Sequence, residues 1–391
     1  MIGRTDARGN PYDGRDARPT AHAADPYHRA PVNDPSRILI VRPSALGDVC
    51  RSVPVLASLR RAYPQARIDW LVQDTFAPAI EHHPALTSTI PFPRRQLGRL
   101  AKSGHIGPIL GFLARLRRGR YDLVLDCQGL ARSALFTAAT LAPCRVGDLN
   151  AREMGWLAYN TRVPVAPNLH TVDRMLELVR GAGVEPVADM RLYTSAEDRA
   201  WVASIDALNP GQFVLLAPTS RWPAKRWPAE RFAALIRGLL ATGVPGVALV
   251  GAGNERDQCA PLLELARQDR RIVDLIGRTS IGRLMALVEA ASVVVANDSA
   301  ALHMAVGLGR PTVGLFGPTR VDLVGPYARP GDVIQHVQPG DSLDHKNDAL
   351  GRALMERISV EEVLAGVERR LSSPNASEPG EPTRAAPRSR A

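Results

Sequence analysis

Short apolar runs alternate with amphipathic stretches through most of this chain, so the hydrophobic period keeps switching between a strand's two and a helix's 3.6. In the first half the runs at 38–41, 68–72 and 123–126 predict strands, and the stretches at 53–63, 109–118 and 130–141 predict helices. In the second half predicted strands at 213–216, 247–250, 292–296 and 312–316 alternate with predicted helices at 229–241, 256–267, 281–290 and 301–308. Runs such as Val293-Val294-Val295 are apolar at successive positions. That suits strands covered on both faces, and strands of this kind alternating with helices imply parallel sheets. The pattern breaks between 183 and 196, where Gly183, Pro186 and Asp189 mark a linker. The predicted fold class is therefore α/β, with two Rossmann-like domains at 37–185 and 186–371 facing one cleft.

Length supports that division, because 391 residues exceed the comfortable size of one core. The segments at 1–36 and 372–391 are poor in large apolar residues and rich in Pro, Ala and charged or small polar residues, which predicts disordered tails. Hydrophobic residues make up 45% and charged residues 23%, ordinary for a soluble globular protein. No run of uncharged apolar residues is long enough to span a bilayer, and the first residues carry no apolar export core. Cys50, Cys127, Cys144 and Cys259 are scattered without CxxC spacing, which predicts buried free thiols and a reducing, cytoplasmic setting.

The net charge of +10 changes the picture only once it is located. Residues 1–36 hold five Arg and five Asp, and 374–391 are nearly balanced, so the tails do not explain it. Between 94 and 120 stand Arg94, Arg95, Arg99, Lys102, Arg115, Arg117, Arg118 and Arg120, with no acid. Such a field fits a solvated helix face, an anionic membrane surface or a phosphorylated acceptor. Nucleic acid is disfavoured, since the segment has one aromatic, Phe112, and no recognised binding motif.

Candidate chemistry gathers where strands end and helices begin. After the run at 292–296 come Asn297, Asp298 and Ser299, any of which can cap the next helix and leave its N–H groups free for an anion, most often a phosphate. Asp298 adds an acceptor and His303, about one turn on, a donor on the same face, a pairing that suits a sugar diphosphate. After the first strand, Ser44-Ala45-Leu46-Gly47-Asp48 places Asp48 at the mouth of the first sheet, as a general base or merely as a helix cap. Thr219, Ser220 and Lys225 follow the first strand of the second half. They suit diphosphate oxygens, although Lys225 and Arg226 also read as an exposed loop. Gly251-Ala252-Gly253-Asn254-Glu255 is a strand-to-helix turn that adds Glu255 to the donor-binding candidates, and Phe316-Gly317-Pro318-Thr319 is another turn.

Taken in order, Ser44 to Asp48, Asp126-Cys127-Gln128-Gly129-Leu130, Lys225-Arg226-Trp227-Pro228, Asn297-Asp298-Ser299 with His303, and Phe316 to Thr319 resemble glycosyltransferase family 9. These are the bacterial ADP-heptose:lipopolysaccharide heptosyltransferases of core synthesis. The resemblance covers about 37–371, and Asn150-Ala151-Arg152-Glu153 with Tyr159-Asn160 look most like type I enzymes. It implies the GT-B fold, with the acceptor on the N-terminal domain and the nucleotide sugar on the C-terminal one. By the same resemblance Asp48 is the catalytic base, and Thr219, Ser220 and Lys225 hold donor phosphates. Asp298 fixes sugar hydroxyls, while Ser299, the Ala300 backbone and His303 hold the diphosphate. The family commonly has Gly at the place of Ala300, and this chain has one additional residue between Ser220 and Lys225.

The implied donor is ADP-L-glycero-D-manno-heptose, with no cofactor and, for want of an Asp-x-Asp motif, no metal. The implied acceptor is an anionic glycolipid, for which Arg94, Arg95, Arg132 and Arg152 are the candidate contacts, with peripheral contact at the inner membrane surface. Two other classes stay open on sequence: an epimerase or oxidoreductase on paired Rossmann folds, and a silent binding module. The first strand lacks the GxGxxG expected for a dinucleotide, and Asp48 and Asp298 are both present, which argues against each in turn.

Overall fold

A computed structural model describes residues 34–372. The predicted disorder of the tails falls almost wholly outside the described residues. The N-terminal sheet contains β1 (Arg37–Val41), β2 (Arg67–Gln73), β3 (Ser88–Phe92), β4 (Leu123–Asp126), β5 (Cys144–Asp148) and β6 (Thr161–Val163). Its helices are α1 (Leu46–Arg51), α2 (Val53–Ala62), α3 (Arg94–Lys102), α4 (Gly107–Arg118), α5 (Ala131–Ala139) and α6 (Thr171–Gly181). The C-terminal sheet contains β7 (Phe213–Ala217), β8 (Gly246–Leu249), β9 (Ile272–Asp274), β10 (Val293–Asn297), β11 (Thr312–Phe316) and β12 (Val333–Gln335). Its helices are α7 (Ala196–Ala203), α8 (Ala229–Ala241), α9 (Ala260–Gln268), α10 (Ile281–Ala290), α11 (Ala300–Gly307), α12 (Val321–Val324), α13 (Asp348–Met355) and α14 (Val360–Ser372).

Every strand pair is parallel, and the orders are β3-β2-β1-β4-β5-β6 and β12-β11-β10-β7-β8-β9. Counted from its own first strand, each sheet has the same order, in which the chain starts in the middle, runs to one edge and returns to fill the other. Strand order reverses between β1 and β4 in one half and between β7 and β10 in the other. Ligands of open parallel sheets sit at such reversals, beyond the carboxyl ends of the strands.

The central strands are apolar at nearly every position and fully buried, so burial on both faces sets their pattern. One apolar cluster runs without a break from Ile38, Ile40 and Leu56 through Leu287 to Leu302 and Met304, so the two halves share a core where they meet. On the far face of the first sheet, α3, α4 and α5 seal Leu39, Val41 and Val124, with Phe92, Phe112 and Phe136 packed ring against ring. The predicted linker is irregular between α6 and α7 and is tied to both halves. Ser58 Oγ accepts from Val187 N–H at 2.8 Å, and Leu192 N–H donates to Gly307 O at 2.8 Å.

All seven predicted strands are present within about a residue of their expected limits, but β3, β5, β6, β9 and β12 were not predicted. These outer strands are short, and polar residues or Pro91 interrupt their apolar pattern. Pro91 is tolerated because β3 is an edge strand, which needs no N–H on its open side. The helix predicted at 256–267 is a 3₁₀ turn over Gly253–Cys259 followed by α9.

Candidate functional site

The two reversals face each other, and α1 fills the space between them. On the C-terminal side, β10 ends at Asn297 and α11 begins at Ala300, with Ser299 in extended conformation at the N-cap position. Asn297, a candidate cap on sequence, does not cap. It is fully buried, its Oδ1 accepts from Trp227 N–H at 3.2 Å and its Nδ2 donates to Pro218 O at 2.7 Å, which ties β10 to the loop after β7. Ser299 Oγ is buried without a partner. A buried hydroxyl at an open helix start costs stability unless a ligand satisfies it, and the free N–H groups there favour an anion.

Lys225 is not an exposed loop residue. Its Nζ lies 2.5 Å from Asp298 Oδ2, with both side chains largely buried, while Arg226 donates from Nε to Ser220 O at 2.8 Å and fixes the loop. A cavity of about 440 Å³ opens in front of these groups, lined by Thr219, Ser220, Trp222, Glu255, Asp298, Ser299 and Ala300. Its apolar wall comes from Leu46, Val250, Ile281 and Leu284. Gly251 matters through close approach, since a methyl group there would stand 2.8 Å from Thr219 Oγ1. The glycine-rich turn thus serves packing against Thr219, and Glu255 closes it by accepting from Ala252 N–H at 3.4 Å.

On the N-terminal side a second cavity, about 680 Å³, is lined by Arg42, Asp48, Arg51, Gln128, Asn150, Arg152 and Arg174. Asp48 does cap α1, accepting from Ala45 N–H at 3.3 Å, and it does more. Its carboxylate is 3.1 Å from Arg42 Nη2 and 2.5 Å from Arg51 Nη2, with about a quarter of the side chain exposed. Burial by itself would raise its pKa, but the two guanidiniums outweigh it and hold the group at about 2. Because that lies below the value in an unfolded chain, the ion pairs stabilise the fold above about pH 4 and lose that contribution as pH falls towards 2.

Arg51 also donates from Nη1 to Val324 O at 2.9 Å, across to the other domain. Thr171 Oγ1 donates to Leu323 O at 3.0 Å, and His170 Nε2 reaches Gly325 O at 3.1 Å while its Nδ1 accepts from Val172 N–H. The second bond fixes the tautomer: the proton is on Nε2, which donates. The segment after β11 is in this way clasped to α1 and α6.

Helix α1 separates the two cavities by one residue's width. Leu46 faces the donor-side cavity, Asp48 faces the other, and Gly47 lies against α11, where a methyl group would come 2.9 Å from His303 Cδ2. Only glycine allows the two helices this approach. His303 does not line the donor-side cavity. It is buried, and burial first, then the charges of Arg51 and Lys225, push its pKa well below 6.5, so its ring is neutral and offers a hydrogen bond but no charge.

Six of the eight donor-side candidates therefore line one cavity, and Lys225 reaches it through Asp298. Of the four arginines expected at the acceptor, only Arg152 lines the second cavity; Arg94 and Arg95 on α3 and Arg132 on α5 are exposed and are not part of its lining. Sequence reasoning missed Arg42, Arg51, Gln128, Arg174 and Trp222. Arg51 carried a signal, three residues after Asp48 and so on the same helical face. The others come together only in space. All four cysteines are buried free thiols, and burial raises Cys50 and Cys127 to about 12, so they are inert.

Known proteins resemble this chain over most of its length. The family model for glycosyltransferase family 9 (heptosyltransferase) matches residues 109–350. Lipopolysaccharide heptosyltransferase 1 of Pseudomonas aeruginosa is 31% identical over 301 residues, 75% of this chain and 82% of its own. The Escherichia coli protein of the same name is 28% identical over 337 residues, 83% of this chain and 99% of its own. Among solved structures, an E. coli heptosyltransferase with ADP-2-deoxy-2-fluoro heptose superposes with a TM-score of 0.67 at 25% identity, covering 85% of this chain and 99% of that one. E. coli ADP-heptose lipopolysaccharide heptosyltransferase II gives a TM-score of 0.71 at 24% identity, over 87% and 100%, and bears on the fold alone.

Proposed function

Because the chain belongs to glycosyltransferase family 9 and is a glycosyltransferase of GT-B fold, we propose that it moves a heptose from ADP-L-glycero-D-manno-heptose to an anionic lipopolysaccharide-core acceptor, with inversion. The observation that carries this reading is the position of Asp48. It opens onto the arginine-lined cavity while its neighbours Leu46 and Gly47 touch the donor side, so a base and a donor meet across one helical turn.

The donor's diphosphate lies at the start of α11, where Ser299 Oγ and the free N–H groups of the helix receive it, with Thr219 and Ser220 alongside. Lys225, held by Asp298, supplies the positive charge, and the apolar wall of Val250, Ile281 and Leu284 takes the base. A nucleoside diphosphate is a good leaving group, so stabilising its charge matters more than a strong acid. The acceptor hydroxyl attacks the anomeric carbon from the Asp48 side, the bond to the diphosphate breaks, and Asp48 takes the hydroxyl proton. A carboxylate of low pKa suffices when bond making leads proton transfer, because the attacking oxygen becomes strongly acidic as it bonds to an oxocarbenium-like carbon. Arg152 at the cavity rim, with Arg42 and Arg51 deeper, suits an acceptor carrying carboxylates or phosphates.

No cofactor is needed in this scheme and no metal takes part. Lys225 offers the charge a metal would otherwise bring. We place the enzyme in the cytoplasm, at the inner face of the membrane. Its buried thiols fit a reducing compartment, and among the described residues no helix is long and apolar enough to cross a bilayer. The test is the anomeric configuration of the product by NMR, with and without chelator. Inversion and undiminished turnover are expected; retention, or loss of activity on chelation, would contradict the scheme.

The ion pairs around Asp48 give a second expected outcome. Replacing Arg51 by Met removes one of the two charges that depress the carboxyl, so the acid limb of kcat/KM should move up by about 1–2 pH units. An unmoved limb would mean that Asp48 is not the group whose ionisation the rate reports.

A further inference from the structure

We propose that the outer face of the N-terminal domain, built from α3, α4, α5 and the turn Gly155–Ala158, is a docking surface for an anionic lipid bilayer. This rests on the reading of the acceptor as a membrane-anchored glycolipid and names the surface that brings the enzyme to it.

Two independent patterns coincide there. Ten large hydrophobic side chains are exposed among the described residues, and seven of them, Ile106, Leu110, Leu135, Leu141, Leu149, Met154 and Leu157, fall within one stretch of the N-terminal domain. Ile106 and Met154 are each 61% exposed. The same region carries the eight Lys and Arg of 94–120 with no acid, so eight of the chain's net ten positive charges arise in 27 residues. Neither pattern is explained by packing. The inward sides of α3, α4 and α5 are already used by Leu97, Phe112, Leu116 and Phe136 against the sheet. On α4 the outward side reads Ile106, Leu110, Ala114 and Arg118 at four-residue spacing, a narrow apolar stripe ending in a cation.

Contiguity follows from the packing order. Helix α3 packs on α4, α4 on α5, and α5 on Gly155–Ala158, where Met154 and Leu157 project. Two acids stand nearby and both are engaged: Glu153 accepts the first N–H of α5 from Ala131 at 3.0 Å, and Asp122 accepts from Ser36 and Arg37 N–H at 2.9 Å. The face is also continuous with the acceptor cavity, because Arg152 lines that cavity and Met154 stands two residues on. An apolar stripe set among unpaired-charge density of one sign matches a bilayer with anionic headgroups: side chains enter the acyl boundary while lysine and arginine meet the phosphates. A glycolipid lying in that bilayer would then meet the cavity at its rim.

The test uses the full chain and vesicles of phosphatidylcholine alone or with phosphatidylglycerol, in a flotation assay. Binding is expected only to the anionic vesicles and should weaken as salt rises. The double variant Ile106→Asp/Leu110→Asp should lose binding at least tenfold. Aspartate at 106 suits a helix start, so folding is kept. Arg99→Gln/Lys102→Gln should lose about tenfold or more, as two charges leave the interface. Both variants should transfer sugar to a detergent-dispersed acceptor within about twofold of the parent, a readout independent of vesicle binding. Equal binding to neutral vesicles, no binding to either kind, or variants that float like the parent would overturn the docking surface while leaving transfer intact. Vesicle binding without transfer would instead overturn the proposed function.

Discussion

Asp48→Asn should lower kcat/KM by roughly 10²–10⁴-fold, the range for loss of a positioned general base, while the protein stays folded. Asparagine keeps the shape of the side chain and an oxygen that Arg42 and Arg51 can still donate to, so the cavity wall is preserved. What disappears is the site that receives the acceptor proton. Donor binding should be nearly unchanged, because Asp48 faces the second cavity and not the donor side. Initial rates of ADP release with acceptor present, together with donor affinity by calorimetry, separate the two effects. Turnover near that of the parent would remove Asp48 from the mechanism.

Lys225→Met should have the next largest consequence and should act on the other substrate. Lys225 and Asp298 are largely buried and 2.5 Å apart. Removing the cation leaves a buried carboxylate without its partner, a loss on the order of 3–5 kcal/mol in well-buried pairs. The developing charge on the diphosphate also loses its stabilising group, which is worth about 10²–10³-fold in rate. The double variant Lys225→Met/Asp298→Asn separates these. It should recover most of the melting temperature, because no buried charge is left unpaired, and recover none of the rate. If the double variant regained activity as well, the role of Lys225 would be structural.

The parts of this molecule that were legible in sequence are those where local pattern and tertiary role agree. Buried central strands such as Val293–Asn297 are apolar at almost every position, and a strand-to-helix turn after them carries polar residues whether or not its ligand is known. Both reversal points could therefore be found, and with them Asp48, Thr219, Ser220, Asp298 and Ser299. Outer strands such as Val333–Gln335 were invisible, since at three residues on a sheet edge they are too short to show a period. Asn297 looked like a cap because its type and place fit one; only the positions of Trp227 and Pro218 show that it is a strut between loops. His303 looked like a direct diphosphate donor because nothing in sequence reports how deeply α11 is buried under Gly47. The arginines at 94, 95 and 132 were chosen for their place in the N-terminal half and for the basic segment, whereas Arg42, Arg51 and Arg174 come from three separate elements to line the second cavity.

The proposed reaction joins an ADP-sugar in one of the two cavities beside α1 to an anionic acceptor in the other. Incubating the purified chain with a phosphorylated lipid A-type acceptor and, in turn, ADP-heptose, a UDP-sugar and a GDP-sugar tests it most directly. The predicted result is ADP formed in equal amount with an acceptor one heptose heavier, and no product from the UDP- or GDP-sugars. Preferential turnover of either of those donors, or ADP released without a glycosylated acceptor, would contradict it.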